Sequence, residues 1–214
     1  MQQSAVAFRS GELRLEGVVG CPDGASGPLP GVVVCHPHPL RGGNMNNNLV
    51  LAVYFALIEE GFVVLRFNFR GVGSSQGEHA EGEKEPEDAE AALNVLKERP
   101  DVDPDRLGLA GYSFGTGVIL RDLSRYKNAR AFALFSSPVR YLDHPGIEED
   151  RRPKLFVCGD RDHGVPIAAL KEKVSSLQQP AECRVVPGAD HFWVGYEEEA
   201  ALHAVRFFAE NLKK

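Results

Sequence analysis

Ser113 is the residue in this chain whose neighbours best equip it for nucleophilic chemistry. It stands at the centre of Gly111-Tyr112-Ser113-Phe114-Gly115, a G-x-S-x-G run. An apolar stretch at 106–110 leads in, and a segment of helical pattern at 114–125 leads out. On a tight strand-to-helix turn a serine occupies a strained backbone position that tolerates only small neighbours, which Gly111 and Gly115 supply. Such a turn lifts the hydroxyl off the sheet and aims unpaired helix N–H groups at a developing oxyanion. The five letters alone recur by chance; the strand before them and the helix after give them weight.

A serine hydroxyl needs a base, and the base needs a carboxylate to orient it. In parallel sheets ligands gather at the carboxyl ends of strands, so the partners are sought there. An apolar run at 155–158 ends in Gly159-Asp160-Arg161-Asp162, and another at 183–186 ends in Pro187-Gly188-Ala189-Asp190-His191. The order is therefore Ser113, then Asp160 or Asp162, then His191. Asp190, next to His191, reads as a residue that shapes the turn through its side chain.

The elements that would hold these residues can be read from periodicity. Alternating segments at 5–9 and 13–19, split by Ser10-Gly11-Glu12, predict an antiparallel hairpin. A Gly/Pro-rich loop at 22–30 follows. Strands are then expected at 32–35, 63–67, 107–110, 131–135, 155–158 and 183–186. Helices are expected at about 46–60, 87–99, 114–125, 167–177 and 196–211, with Pro86 at the start of the second. Apolar strands alternating with amphipathic helices imply an α/β fold whose largely parallel sheet is covered on both faces.

At 214 residues the chain suits a single domain, 1–214. Its formal charge of −6 argues against nucleic acid or an anionic membrane as partner. No apolar run approaches the roughly 20 residues of a membrane span, and the first residues carry no secretory pattern. Four cysteines, Cys21, Cys35, Cys158 and Cys183, form no C-x-x-C pair and read as reduced thiols of a cytoplasmic protein. The acidic stretch at 77–90 reads as a solvated loop feeding a helix N-terminus rather than a cation site.

Two further motifs carry a resemblance. His36-Pro37-His38-Pro39 follows the first parallel strand, and Phe69-Arg70-Gly71-Val72-Gly73-Ser74-Ser75 follows the next. With the serine motif they make the chain, from about residue 31 onward, similar to lidless bacterial α/β-hydrolases close to dienelactone hydrolases. The resemblance implies an α/β-hydrolase fold with Ser113 as nucleophile, His191 as general base and Asp162 as its partner, since Asp162-His163-Gly164-Val165-Pro166 fits the family's Asp-x-x-Val-Pro pattern. Dienelactone hydrolases proper use a cysteine nucleophile, so their substrate does not carry over to Ser113.

Two backbone donors are needed for an oxyanion hole: the N–H of Phe114, and one from the loop after Cys35. Pro37 and Pro39 have no N–H, and the family's His-Gly-x-Pro pattern puts the donor at His38. His36 and His38 have ligand-like spacing but lack the further ligands a metal site requires, and His79, His144 and His163 cannot be placed from sequence. His36 is expected to pack under the oxyanion loop. Arg70 to Ser74 lacks the full phosphate-loop motifs and reads as a turn behind the site. Arg41 and Asn44 are candidate substrate contacts, and an asparagine within 44–48 is the expected helix cap.

Only 136–154 separates two successive strands at the place where related folds insert a cap, so the site is expected to be open and suited to short acyl esters. The activity implied is that of a serine hydrolase of the carboxylesterase type acting on a small-molecule ester, with no cofactor and no metal. Thioesterase, amidase or small-peptidase chemistry would use the same machinery, and a non-catalytic binding module is the reading from another class.

Overall fold

A computed structural model describes residues 1–24 and 27–213. The chain opens with strands β1 (Gln2–Ser10) and β2 (Leu13–Cys21), paired antiparallel in register from Gln2 opposite Cys21 to Ser10 opposite Leu13. Both strands are longer than the alternation predicts; the first residues of β1, Gln2 to Ser4, are exposed and carry no apolar signal. Of the expected loop at 22–30, residues 25 and 26 lie outside the described residues, and Leu29 already belongs to β3 (Leu29–Cys35).

Beyond the hairpin come α1 (Asn48–Glu59), β4 (Val63–Phe67), α2 (Glu85–Lys97), β5 (Val102–Tyr112), α3 (Phe114–Arg121), β6 (Ala129–Phe135), β7 (Lys154–Gly159), α4 (Ile167–Ser176), β8 (Ala181–Val186) and α5 (Glu197–Leu212). All eight strands join one sheet in the order β1-β2-β4-β3-β5-β6-β7-β8. Strands β3 to β8 run parallel, and β2 meets β4 antiparallel.

Alternation along the strands divides the core. Val33, Cys35, Leu109, Phe132, Leu134 and Phe156 point to one face, where Leu93, Ile119 and Leu170 of α2, α3 and α4 cover them. Val32, Val34, Ala110, Ala131, Ala133 and Val157 point to the other, under α1 and α5. Small residues on this second face let α5 approach closely. At Gly108 a Cβ would fall 2.5 Å from the Phe208 ring, so only glycine fits.

Two predicted boundaries moved for local reasons. Helix α3 stops at Arg121, because Asp122 leaves helical backbone (φ −147°, ψ 68°) and its carboxylate accepts the Arg125 N–H, capping a short 3-10 turn. Strand β5 begins five residues earlier than its apolar run, across the polar Asp103-Pro104-Asp105. Between β6 and β7 the chain holds only a 3-10 turn, Val139–Asp143, and no cap. No helix among the described residues is long and apolar enough to cross a membrane.

The acidic stretch at 77–90 feeds the start of α2 as expected, with Glu78, Glu81, Glu83 and Glu87 exposed, but two of its residues are not solvated. Glu85 and Asp88 are fully buried. The Glu85 carboxylate accepts the N–H groups of Ala80 and Gly82, and Asp88 takes a bidentate pair from Arg70 together with the Arg70 N–H. Burial lowers and these carboxylate partners raise the Arg70 pKa, with a net upward shift. Paired and hydrogen-bonded charges of this kind tolerate burial where lone ones do not.

Candidate active site

Ser113 lies at the junction of β5 and α3 with φ +51° and ψ −106°, far from ordinary helix or strand backbone. The surroundings hold it there. Its N–H donates to the Phe135 carbonyl at 2.9 Å, and its own carbonyl accepts from the Thr116 N–H and Oγ1 at 3.0 and 2.6 Å. A Cβ on Gly111 would lie 2.8 Å from the Gly115 backbone, and one on Gly115 would lie 2.5 Å from the Cys35 carbonyl. Both glycines are thus required by close approach, as the sequence pattern predicts.

The serine hydroxyl stands 3.0 Å from His191 Nε2, and His191 Nδ1 stands 2.9 Å from Asp162 Oδ2. Asp162 follows β7 and is completely shielded on its side chain, whereas His191 is 29% exposed. Burial pushes the Asp162 carboxyl up. The hydrogen bond and charge of His191, the Ser136 hydroxyl and the Gly164 N–H more than offset this and hold it below the usual carboxylate range. Asp160, the other candidate, makes no hydrogen bond to His191 and instead accepts the Gly188 N–H at 2.6 Å, tying the end of β7 to the loop that carries His191. Asp190 accepts the N–H groups of Phe192 and Trp193, the turn-shaping job expected of it.

Sequence reasoning missed the layer behind these residues. Tyr112 donates its hydroxyl to the His191 carbonyl at 2.6 Å. Trp193 donates its indole N–H to Ser136 Oγ at 3.0 Å, and Ser136 in turn supports Asp162. Ser136 and Trp193 are both fully buried with positive φ, +47° and +63°. Their role depends on contacts across the sheet. Only the position of Tyr112 inside the serine motif was a signal that could have been read.

On the other flank, His36 is buried and engaged at both nitrogens. Nδ1 lies 2.7 Å from the Pro37 carbonyl, and Nε2 accepts the Phe69 N–H at 3.1 Å, which fixes the tautomer as Nδ1–H. It packs under the loop that follows β3, as expected. The N–H groups of His38 and Phe114 donate no hydrogen bond to any described residue, so both are free for a ligand atom. The His38 ring, which sequence reasoning left idle, meets the His79 ring at 5.1 Å, and both rings contact Phe114. Arg41 is exposed on the 3-10 turn Pro39–Arg41. Asn44 turns its side chain inward: Nδ2 donates to the Gly42 carbonyl and Oδ1 accepts the Asn46 N–H. Asn47, at the cap of α1, accepts the Asn44 N–H instead of a helix N–H, so the expected side-chain cap is absent.

This arrangement can relay a proton from a hydroxyl to an imidazole steadied by a buried carboxylate, which is the chemistry of acyl transfer.

The comparisons with known proteins agree with the fold. The model of the dienelactone hydrolase family matches residues 15–213. An uncharacterized protein of Rickettsia prowazekii, RP471, is 33% identical over 202 residues, which cover 91% of this chain and 84% of that one. An α/β serine hydrolase homologue from Coxiella burnetii superposes with a TM-score of 0.85 at 34% identity, covering 96% of this chain and 97% of its own. XC6422 from Xanthomonas campestris, an α/β serine hydrolase without lid, superposes at 0.84 with 28% identity, covering 98% and 94%. A dienelactone hydrolase from Anabaena variabilis shares the fold at a TM-score of 0.83 and 21% identity, covering 99% of this chain and 98% of its own. The molecule has a lidless α/β-hydrolase fold, and the chain belongs to the dienelactone hydrolase family.

Proposed function

We propose that this hydrolase cleaves carboxylic esters of short acyl chains, with Ser113 as nucleophile, His191 as general base and Asp162 as the carboxylate that orients it. The observation that carries the reading is the unbroken line from Ser113 Oγ to His191 Nε2 at 3.0 Å and from His191 Nδ1 to Asp162 at 2.9 Å. Ser113 Oγ attacks the ester carbonyl while His191 takes its proton. The free N–H groups of Phe114 and His38 receive the oxyanion, the imidazolium returns its proton to the departing alkoxide, and water hydrolyses the acyl-enzyme. None of these steps needs a metal or a cofactor.

The short-acyl preference rests on openness. Residues 136–153 add no cap over the site, and Leu40, Phe192 and Val194, on the loops that follow β3 and β8, are largely exposed. An uncovered site buries little of a long alkyl chain. The test is hydrolysis of p-nitrophenyl esters from acetyl to palmitoyl by wild type and Ser113→Ala. Acetyl or butyryl esters are expected to be the best substrates, with kcat lowered in the variant by on the order of 10⁶-fold, as in other triads. Retained turnover in a folded Ser113→Ala protein overturns the nucleophile, and a palmitoyl optimum overturns the open site.

A further inference from the structure

His79 is a buried histidine for which the proposed reaction has no use. Its side chain is only 8% exposed, yet neither ring nitrogen has a hydrogen-bond partner among the described residues. Glu85 Oε1, which accepts the Ala80 N–H, lies 3.0 Å from Nδ1 but outside hydrogen-bonding geometry. Nε2 points toward Glu81, 3.5 Å from its Oε1, and the other oxygen of Glu81 lies 4.0 Å from His38 Nε2. One donor atom from each of His38, His79 and Glu81 falls within 4.8 Å of the others. A buried polar atom without a partner costs free energy unless something satisfies it.

We propose that His38, His79 and Glu81 form a binding site for a divalent transition-metal ion of the zinc type, and that its occupation slows the reaction at Ser113. Two imidazoles with one carboxylate select zinc, copper or nickel over magnesium or calcium. Three protein ligands leave a fourth position for water. Zinc bonds of about 2.0–2.1 Å in a tetrahedron put neighbouring donors about 3.3 Å apart. His79 is fixed by its burial, so the Glu81 carboxylate, 71% exposed, is the arm that closes the remaining gap. Behind His79, the buried Glu85 carboxylate lies 3.0 Å from the second ring nitrogen, which leaves Nε2 as the ligating atom. His79 also lines an open recess of about 560 Å³ together with Gly42, Asn68 and Val72.

The coupling to catalysis rests on the function proposed above, because the N–H of His38 is there an oxyanion donor. A bound ion ties the His38 ring to the 77–82 loop and draws residue 38 toward it. Oxyanion donors must keep their position within a few tenths of an ångström, and losing one costs about 10²–10³ in rate. A partial displacement is expected to cost about tenfold.

Calorimetric titration of Ser113→Ala with zinc chloride tests the site without any need for activity. One zinc per chain is expected. Adding Glu81→Gln or His79→Gln should weaken binding at least about tenfold, since even an outer partner of a ligand is worth 10–100-fold. Glu81 is exposed, so its substitution keeps the test valid if the His79 variant fails to fold. Titration without a saturable site, or with equal affinity in Glu81→Gln, overturns the site. The rate at which a fluorophosphonate labels wild-type Ser113 then reports the coupling. Zinc should slow it about tenfold, reversibly with chelator, in wild type but not in Glu81→Gln, whereas an unchanged rate despite bound zinc overturns the coupling. Absence of labelling in zinc-free protein refutes the hydrolase reading and the coupling with it, while the calorimetry still decides the site.

Discussion

Two histidine–carboxylate pairs sit near the start of α3, and they differ in what lies beyond the ring. His191 has fully shielded Asp162 at Nδ1 and the Ser113 hydroxyl at Nε2, both in hydrogen-bonding geometry. His79 has fully shielded Glu85 near Nδ1 and only the exposed Glu81 near Nε2, with no hydrogen bond at either atom. The first pair is complete as it stands, while the second is an arrangement in want of a partner. A buried carboxylate next to an imidazole therefore does not by itself mark a catalytic base. The group at the far nitrogen decides it, and only His191 has a hydroxyl there, on a residue whose backbone aims it outward.

The largest effect expected is from breaking the first pair. Asp162→Asn keeps the shape of the carboxylate but presents an amide where His191 Nδ1–H needs an acceptor. The ring then favours the wrong tautomer, with Nε2 protonated and unable to take the serine proton. A fall of about 10⁴ in kcat is expected, as for the corresponding change in other triads. Steady-state kinetics of the variant on p-nitrophenyl acetate measures it. Activity within tenfold of wild type would mean that Asp162 does not orient the base.

A third histidine sharpens the comparison, because His36 has both nitrogens satisfied by backbone groups. Burial, opposed by the Pro37 carbonyl, lowers its pKa from 6.5 to about 4. The neutral form is the one the fold binds, so the stability it contributes is complete above pH 6.5. It declines as pH falls, because the unfolded chain gains a proton that the folded chain refuses until about pH 4. At 1.36 kcal/mol for each pKa unit the loss is about 3 kcal/mol. Asp162, with its pKa below the usual carboxylate range, gives up its own contribution only at more acid pH, so the two windows are distinct. Urea unfolding of wild type and His36→Gln from pH 7.5 to 4 should show the steeper decline in wild type, since His38, His144 and His203, also held below the ordinary histidine pKa by burial, titrate in both proteins. A glutamine can keep a bond to each backbone group but does not titrate. Equal slopes would show that His36 is not the group responsible.

Much of this architecture was legible in the chain because it rests on local pattern. Alternating apolar strands and amphipathic helices reveal a parallel sheet, and Gly111 and Gly115 announce the turn at Ser113 since the backbone there admits nothing larger. Ser113, His191 and the pair Asp160 and Asp162 could be picked out because each follows a strand of one sheet, whose carboxyl ends meet at one edge, while the choice of Asp162 came from the resemblance to α/β-hydrolases. Ser136, Trp193 and Glu85 could not. Their roles depend on which loops face each other once the sheet has formed, and no periodicity encodes that. Within the acidic stretch at 77–90, Glu85 and Asp88 departed from the solvated reading for a related reason. Charge along a sequence indicates solvation only where no partner lies across the fold, and here backbone amides and Arg70 wait inside.

Breaking the second pair should cost stability rather than turnover. Glu85→Gln leaves one carbonyl oxygen where two carboxylate oxygens serve the N–H groups of Ala80 and Gly82. The new amide group meets the second of these as donor against donor. A buried N–H left unsatisfied costs about 1–3 kcal/mol, so the unfolding free energy should fall by that amount. In metal-free protein, kcat on a short ester should stay within about threefold of wild type, because Ser113, His191 and Asp162 make no hydrogen bond to the 77–85 segment. Parallel urea unfolding and kinetics on the one variant give both numbers. A stable Glu85→Gln protein with kcat reduced a hundredfold would erase the distinction between the two pairs, and would make His79 a participant in the reaction rather than its neighbour.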